Sequence, residues 1–389
     1  MGSAFLTRKG GGGATITFEN FSELERNNVT SLSVEKYELA ATTVGNYALF
    51  GGGYGGVADS TVDAYSTSLS RSTPTALSVA RGLLSATTVG NYALFGGGSN
   101  GSQFSTVDAY STSLSRSTPT SLSVARCELA ATTVGNYALF GGGHDGSDYF
   151  STVDAYSTSL SRSTPTDLSV GRRNPAATTV GNYALFGGGH TYGPTKYYST
   201  VDAYSTSLSR STPTALSVGR EQLAATTVGN YALFGGGWGD SHSSTVDAYS
   251  TSLSRSTPTA LSVGRCELTA TTVGNYALFG GGYDGSSRSS TVDAYNASLS
   301  RSTPTALSVG RDELTATTVG NYALFGGGWC GSRFSTVDVY SFNNKVTIYP
   351  GAKYKFSGMS SEVTATEYKQ IQVNTPINGY IKLKNVTLN

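Results

Sequence analysis

Ala-Thr-Thr-Val-Gly-Asn-Tyr-Ala-Leu-Phe-Gly-Gly-Gly, residues 41–53, is the stretch from which the fold can be read. The same string occurs seven times, with its valine at Val44, Val89, Val134, Val180, Val228, Val273 and Val319. Successive copies therefore stand 45, 45, 46, 48, 45 and 46 residues apart. After a short unlike segment each is followed by a second constant block, Ser-Thr-Val-Asp-Ala-Tyr-Ser-Thr-Ser-Leu-Ser-Arg-Ser-Thr-Pro-Thr at 60–75 in the first copy. A period near 45 residues matches one four-stranded blade of a β-propeller. So regular a repeat makes the 389 residues one closed array rather than two ordinary domains.

One blade reads from residue 37 to 81. Leu39 to Val44 is the innermost strand, with Ala41, Thr42 and Thr43 small enough for a crowded central channel. Gly45-Asn46 signals a two-residue hairpin, because both residues tolerate positive φ. Tyr47 to Phe50 follows, with Tyr47 and Leu49 on one face and Ala48 and Phe50 on the other. Both faces are apolar, as a sheet sandwiched between two others requires. Gly51-Gly52-Gly53 ends this strand where a side chain would obstruct the backbone. Ser60 to Tyr65 is the third strand and Ser70 to Ser78 the outer one, where an edge tolerates the donor missing at Pro74.

The double glycine after Ala-Leu-Phe, followed by the spaced tyrosine of Val-Asp-Ala-Tyr, resembles the kelch repeat family. The resemblance covers residues 15 to 350 and implies a seven-bladed, all-β propeller of four-stranded antiparallel blades. The chain departs from the family where a tryptophan is expected: Arg71, Arg116, Arg162, Arg210, Arg255 and Arg301 stand there. The outer strands should accordingly pack in a more polar way.

Ring closure needs one terminus to complete a blade begun by the other. Phe21 to Val34 aligns with Tyr65 to Val79, so the N-terminal segment around Asn28 to Val34 is expected to supply the outer strand of blade seven. The chain then divides into a Gly-rich leader (1–14), a propeller (15–344, with 15–36 as closing segment) and a β-rich tail (345–389). The tail and the Thr-Arg-Lys-Gly-Gly-Gly-Gly start resemble ends seen on phage tail and bacterial surface proteins. That resemblance implies attachment to a larger assembly, on a virion or cell surface, by an otherwise monomeric propeller.

Composition excludes several classes of function. With charged residues at 13% and a formal net charge of +1, there is no electrostatic footprint for nucleic acid. The start carries no secretory h-region, and Leu6 stands where a myristoylation signal wants Ser or Thr. No apolar run reaches the roughly 18 residues of a membrane span. Cys127, Cys266 and Cys330 are odd in number and share no metal spacing, so they form no disulfide framework.

The framework is almost invariant among the repeats, while two short windows are not. The first, after the triple glycine, reads YGGVAD, SNGSQF, HDGSDYF, HTYGPTKYY, WGDSHS, YDGSSRS and WCGSRF. The second, after the outer strand, reads YEL, GLL, CEL, RNP, EQL, CEL and DEL. In an antiparallel blade both emerge at one end of the sheet. Variation confined to one face of a fixed frame is how binding loops behave.

The expected ligand-binding residues lie there: Tyr54, His144, His190, Trp238, Tyr283 and Trp329 directly after the triple glycine, with Tyr192 and Arg333 further along their loops. Ser99 holds the equivalent place in the second copy. Aromatic rings offer large, fairly rigid contact area suited to a sugar or peptide surface. The histidines His144, His190 and His242 sit on three consecutive blades, too far apart for ligands around 2 Å from one ion, so no metal and no cofactor is expected.

Two further rings of repeated residues read as scaffold. Lys36, Arg81, Arg126, Arg172, Arg220, Arg265 and Arg311 end the outer strands. Kelch propellers that bind acidic peptides use arginines from this region, but Glu38, Glu128, Glu267 and Glu313 follow two residues later and are expected to pair with them. Asp63, Asp108, Asp154, Asp202, Asp247, Asp293 and Asp338 recur once per blade, which a site used once would not need.

No set of catalytic residues stands out. The copper ligands of kelch-fold oxidases, the nucleophile elbow and the phosphate loop are all missing. The one enzymatic alternative is glycan cleavage by Asp145, Asp148, Asp240 or Asp284 as acid and base; the other alternative is a structural spacer without ligand. The sequence reading favours a non-enzymatic module that binds a glycan or protein through the variable face.

Overall fold

The computed structural model describes residues 16–17, 24–192, 196–342, 345–348, 353–354, 363–364 and 369–372. Two compact units result, one from Arg26 to Tyr340 and the other from the two chain ends. Every regular element in the described residues is a β-strand.

The first unit is a seven-bladed propeller of four-stranded antiparallel sheets. In blade one the strands are Ala40–Val44, Tyr47–Gly51, Val62–Ser66 and Arg71–Ser72, running from the axis outward. The outer strand is much shorter than the Ser70 to Ser78 read from sequence. Only Ala64↔Ser72 and Tyr65↔Arg71 pair, because Pro74 removes the next ladder donor.

The period-two alternation of Tyr-Ala-Leu-Phe builds the joints between blades. Leu49 packs with Val44, Val62 and Ala64 against Ala93, Phe95 and Tyr110 of blade two. Ala48 and Phe50 face the other way, against Leu324, Val337 and Val339 of blade seven. Each second-strand phenylalanine meets the tyrosine of its own third strand edge-on, as in Phe50–Tyr65 at 5.8 Å. That tyrosine's hydroxyl reaches back to the previous blade, Tyr110 Oη donating to Thr75 O at 2.7 Å.

A buried charge network reinforces each joint. Arg81 Nη2 donates to Asp108 of blade two at 2.8 Å, and Arg116 bonds the other oxygen of that carboxylate at 2.8 Å. The arginine ring is thus paired, but its partner is the aspartate of the following blade. Glu38, Glu128, Glu267 and Glu313, two residues after Lys36, Arg126, Arg265 and Arg311, are not the partners of these cations.

Blade seven takes its outer strand from the N-terminal segment, as the alignment requires, but from Leu24–Asn28 rather than Asn28 to Val34. The reason is register. Arg26 occupies the place of Arg71 and bonds Asp338 at 3.1 Å, while Leu32 and Ser33 take the roles of Leu77 and Ser78, with Ser33 N donating to Asp63 at 3.0 Å.

In the second unit, Ile16–Thr17, Lys345–Ile348 and Lys369–Gln372 form one sheet. Lys353–Tyr354 pairs with Val363–Thr364. Ile16 and Thr17, read from sequence as part of the closing segment, pair with the tail instead. The Gly-rich leader 1–14 lies outside the described residues. Among those described, no helix is long and apolar enough to cross a membrane.

Candidate functional site: the face of paired variable loops

The two variable windows of each blade are joined to one another. Tyr37 N donates to Tyr54 O at 3.3 Å and Tyr54 N to Tyr37 O at 2.9 Å. The same two-residue bridge recurs as Gly82↔Ser99, Cys127↔His144, Arg173↔His190, Glu221↔Trp238, Cys266↔Tyr283 and Asp312↔Trp329. Both windows therefore lie at one end of the blades, and each ring residue rides on a short rigid ladder.

The opposite face is constant for a packing reason. A Cβ on Gly45 would lie 3.1 Å from Thr112 Cγ2 of the next blade, and Gly90 stands likewise to Thr158. Each Gly-Asn turn fits against its neighbour's Ser-Thr-Ser loop, or against Asn296-Ala297-Ser298 in blade six, where Gly229 meets Ala297.

On the variable face the rings pack across blades in two arcs. In the first, Trp329 of blade seven stacks on Tyr37 at 5.4 Å, and Tyr37 on Tyr54 at 5.8 Å. Tyr54 then lies over Gly82, where a Cβ would come within 2.2 Å of the ring, and its hydroxyl donates to Ser99 O at 2.9 Å. Arg333 extends from blade seven to Gly56, its Nη1 2.9 Å from a Cβ built there.

The second arc runs over blades three to six. Tyr149 Oη accepts from Tyr192 N at 3.1 Å. Tyr197 Oη accepts from Trp238 Nε1 at 2.9 Å. Trp238 meets His242 at 4.5 Å, and His242 meets Tyr283 at 5.4 Å. Arg288 lies over Tyr283 at 4.9 Å. Blade two, with Ser99 buried in the ring position, interrupts the aromatic circle.

Tyr54, His144, Trp238, Tyr283, Trp329 and Arg333 are half-buried, and Tyr192 is 56% exposed. His190 is different. It is fully buried, with Nδ1 against the Glu221 carboxylate and the Tyr192 ring covering it at 4.6 Å, so it supports the surface from beneath. Sequence reasoning missed Arg173, which lies over Tyr192 at 4.5 Å, donates to its hydroxyl at 2.7 Å and pairs with Glu128 at 3.1 Å. Its signal was the single Arg-Asn-Pro window among the Glu-Leu copies.

Two of the four carboxylates weighed as acid and base, Asp145 and Asp284, support their own loops. Asp145 accepts from the backbone N–H of Ser147 and Asp148 at 2.9 and 2.8 Å. Asp284 does the same with Ser286 and Ser287 at 2.8 and 2.7 Å. These bonds hold both carboxyls below their ordinary range, the wrong direction for a general acid. Among the described residues no group of three or more His, Cys, Asp or Glu is arranged to hold a metal ion. All three cysteines are free, and burial pushes the Cys127 and Cys266 thiols up to about 12.

No family model matches the chain, and no curated protein matches it either.

Proposed function

We propose that this protein is a non-enzymatic binding module that recognises a carbohydrate or protein surface through its variable face, in receptor binding or adhesion. One observation carries the reading: aromatic side chains from successive blades are joined by ring packing and hydrogen bonds into two arcs, held on backbone bridges at one end of the propeller. Rings fixed in this way lose little entropy on binding and present apolar faces beside polar edges. The Gly-Gly and Val-Asp-Ala-Tyr signals resemble those of kelch repeats.

The test is a glycan array together with a cell-binding assay. Truncating an aromatic hot spot typically costs ~2 kcal/mol, roughly a thirtyfold loss of affinity. Trp238→Ala and Trp329→Ala should each weaken binding by about that much without changing the fold. Asn46→Ala and Ser68→Ala, on the opposite face, should bind as the parent does. Normal binding by both tryptophan variants, or turnover of a glycan by the parent, would overturn the reading.

A further inference from the structure

Two tyrosine hydroxyls in the long loop of blade four are fixed as acceptors within the protein. Tyr192 Oη accepts from Arg173 Nη2 at 2.7 Å, and Tyr197 Oη accepts from Trp238 Nε1 at 2.9 Å. A guanidinium and an indole N–H can only donate, so the direction of both bonds is forced. Each phenol therefore keeps its own proton for an outside acceptor. Tyr54 and Tyr283 are the reverse, since their protons are committed to the carbonyls Ser99 O and Gly285 O.

The two donors stand together at the surface. Tyr197 pairs with His190 across the hairpin, and alternation puts Tyr192 on the same face. The rings of Tyr192 and Tyr197 accordingly flank the buried His190 at 4.6 and 6.0 Å. Tyr192 is exposed and Tyr197 half-buried. The Arg173 guanidinium also lies 4.5 Å over the Tyr192 ring. A hydroxyl that accepts from a cation is polarised and donates more strongly.

Charge points the same way. The two windows of blade four, Arg-Asn-Pro at 173–175 and His-Thr-Tyr-Gly-Pro-Thr-Lys-Tyr-Tyr at 190–198, hold cations and no carboxylate. Every other copy carries an aspartate or glutamate in its windows, except blade two, which carries no charge there. The carboxylates that touch this cluster are occupied from within. Glu128 contacts Arg173 and His144, and Glu221 lies against His190 and accepts from Asn174 at 3.3 Å.

We infer that blade four takes an acidic glycan, with the sugar carboxylate accepting from the Tyr192 hydroxyl and a neighbouring sugar oxygen from Tyr197. A neutral sugar hydroxyl brings a proton as well as lone pairs, whereas a carboxylate brings lone pairs alone and a charge that suits this blade. The rings of Tyr197 and Trp238 suit the C–H face of a pyranose, which an acidic peptide does not offer. The inference rests on the variable face being the binding surface and names what that face recognises.

The experiment is calorimetric titration of the full chain with oligogalacturonate, oligomannuronate and sialyllactose, each beside its methyl ester. The ester keeps the sugar rings and removes only the charge. At least one acid should bind, about tenfold or more tighter than its ester, the difference expected for a hydrogen bond to a charged group. Tyr192→Phe keeps the ring and loses the hydroxyl, so it should weaken the acid about tenfold and leave the ester as it was. Tyr197→Phe should weaken the acid as well, and Trp238→Ala should weaken acid and ester alike. Hexaglutamate, which has carboxylates and no sugar, should not compete. Binding by none of the acids, acid retained at parental strength in both phenylalanine variants, or competition by hexaglutamate as strong as by the acid itself would overturn the inference. An ester that binds as well as its acid, and is lost in Trp238→Ala, overturns it too but leaves the variable face as the binding surface. Normal binding in the tryptophan variants would instead overturn that wider reading.

Discussion

Asp108 shows how a polar residue can be the centre of a propeller joint. Its carboxylate is fully buried and holds Arg81 from blade one, Arg116 from its own blade and the Ser78 N–H at 3.0 Å. Removing one charge from such a group leaves the others buried and uncompensated, at a cost of about 3–5 kcal/mol. Asp108→Asn should therefore destabilise the chain by about that amount in urea unfolding, whereas Lys196→Ala, which removes an exposed cation from over the Tyr198 ring, should cost under ~1 kcal/mol. Equal losses would mean that the buried network is not what secures the joint. The sevenfold recurrence of this aspartate was enough to read it as scaffold. Its partner was not legible, because Arg81 and Asp108 lie 27 residues apart and meet only once two blades are stacked. The nearer glutamates looked complementary, but the chain takes a positive φ at them (51° at Glu38), which turns them away.

At the scale of strands, the second strand was legible because its constraint is local: alternation sets which residue faces which neighbour. Its final glycine carries a less visible constraint. Gly51 has no positive φ, yet a Cβ there would lie 2.9 Å from Phe95 Cε1 of the next blade, and the equivalent glycine of every blade meets the same ring at 2.7–3.0 Å. Gly51→Ala should overpack a single joint and cost about 1–3 kcal/mol, read as a lowered urea midpoint. A neutral substitution would show that the ring can shift aside. The outer strand was misjudged for the opposite reason. Its length depends on how many donors remain before Pro74 and on the preceding blade's loop, neither of which periodicity reports. The aromatic arcs fall between these cases. Their residues were legible as a ring of equivalent positions, but not Arg173 or Tyr37, nor the burial of His190, which depends on a loop longer than its neighbours.

At the scale of the whole molecule, six joints are built from contiguous chain and the seventh depends on the chain's beginning. Leu24–Asn28 pairs with Val337–Phe342, and Leu32 enters the core between blades seven and one. Lys36, fully buried, replaces the usual arginine there and lies 3.9 Å from Asp63. Its ammonium bonds Thr61 O at 3.0 Å and lies farther from the aspartate than the 2.8–2.9 Å of the arginine pairs, so this joint has the weaker charge clamp. A ring whose closing joint is the least secured opens there first, and opening leaves the long strand Val337–Phe342 with an unpaired edge. Exposed edges of this kind template aggregation. Deleting residues 1–28 should therefore convert a soluble species into oligomers on size exclusion with light scattering, and should lower the temperature of the first unfolding transition. Deleting residues 352–389 should do neither, since the closing strand and its partners remain. A soluble, monomeric and equally heat-stable protein lacking residues 1–28 would show that the ring holds without its seventh outer strand.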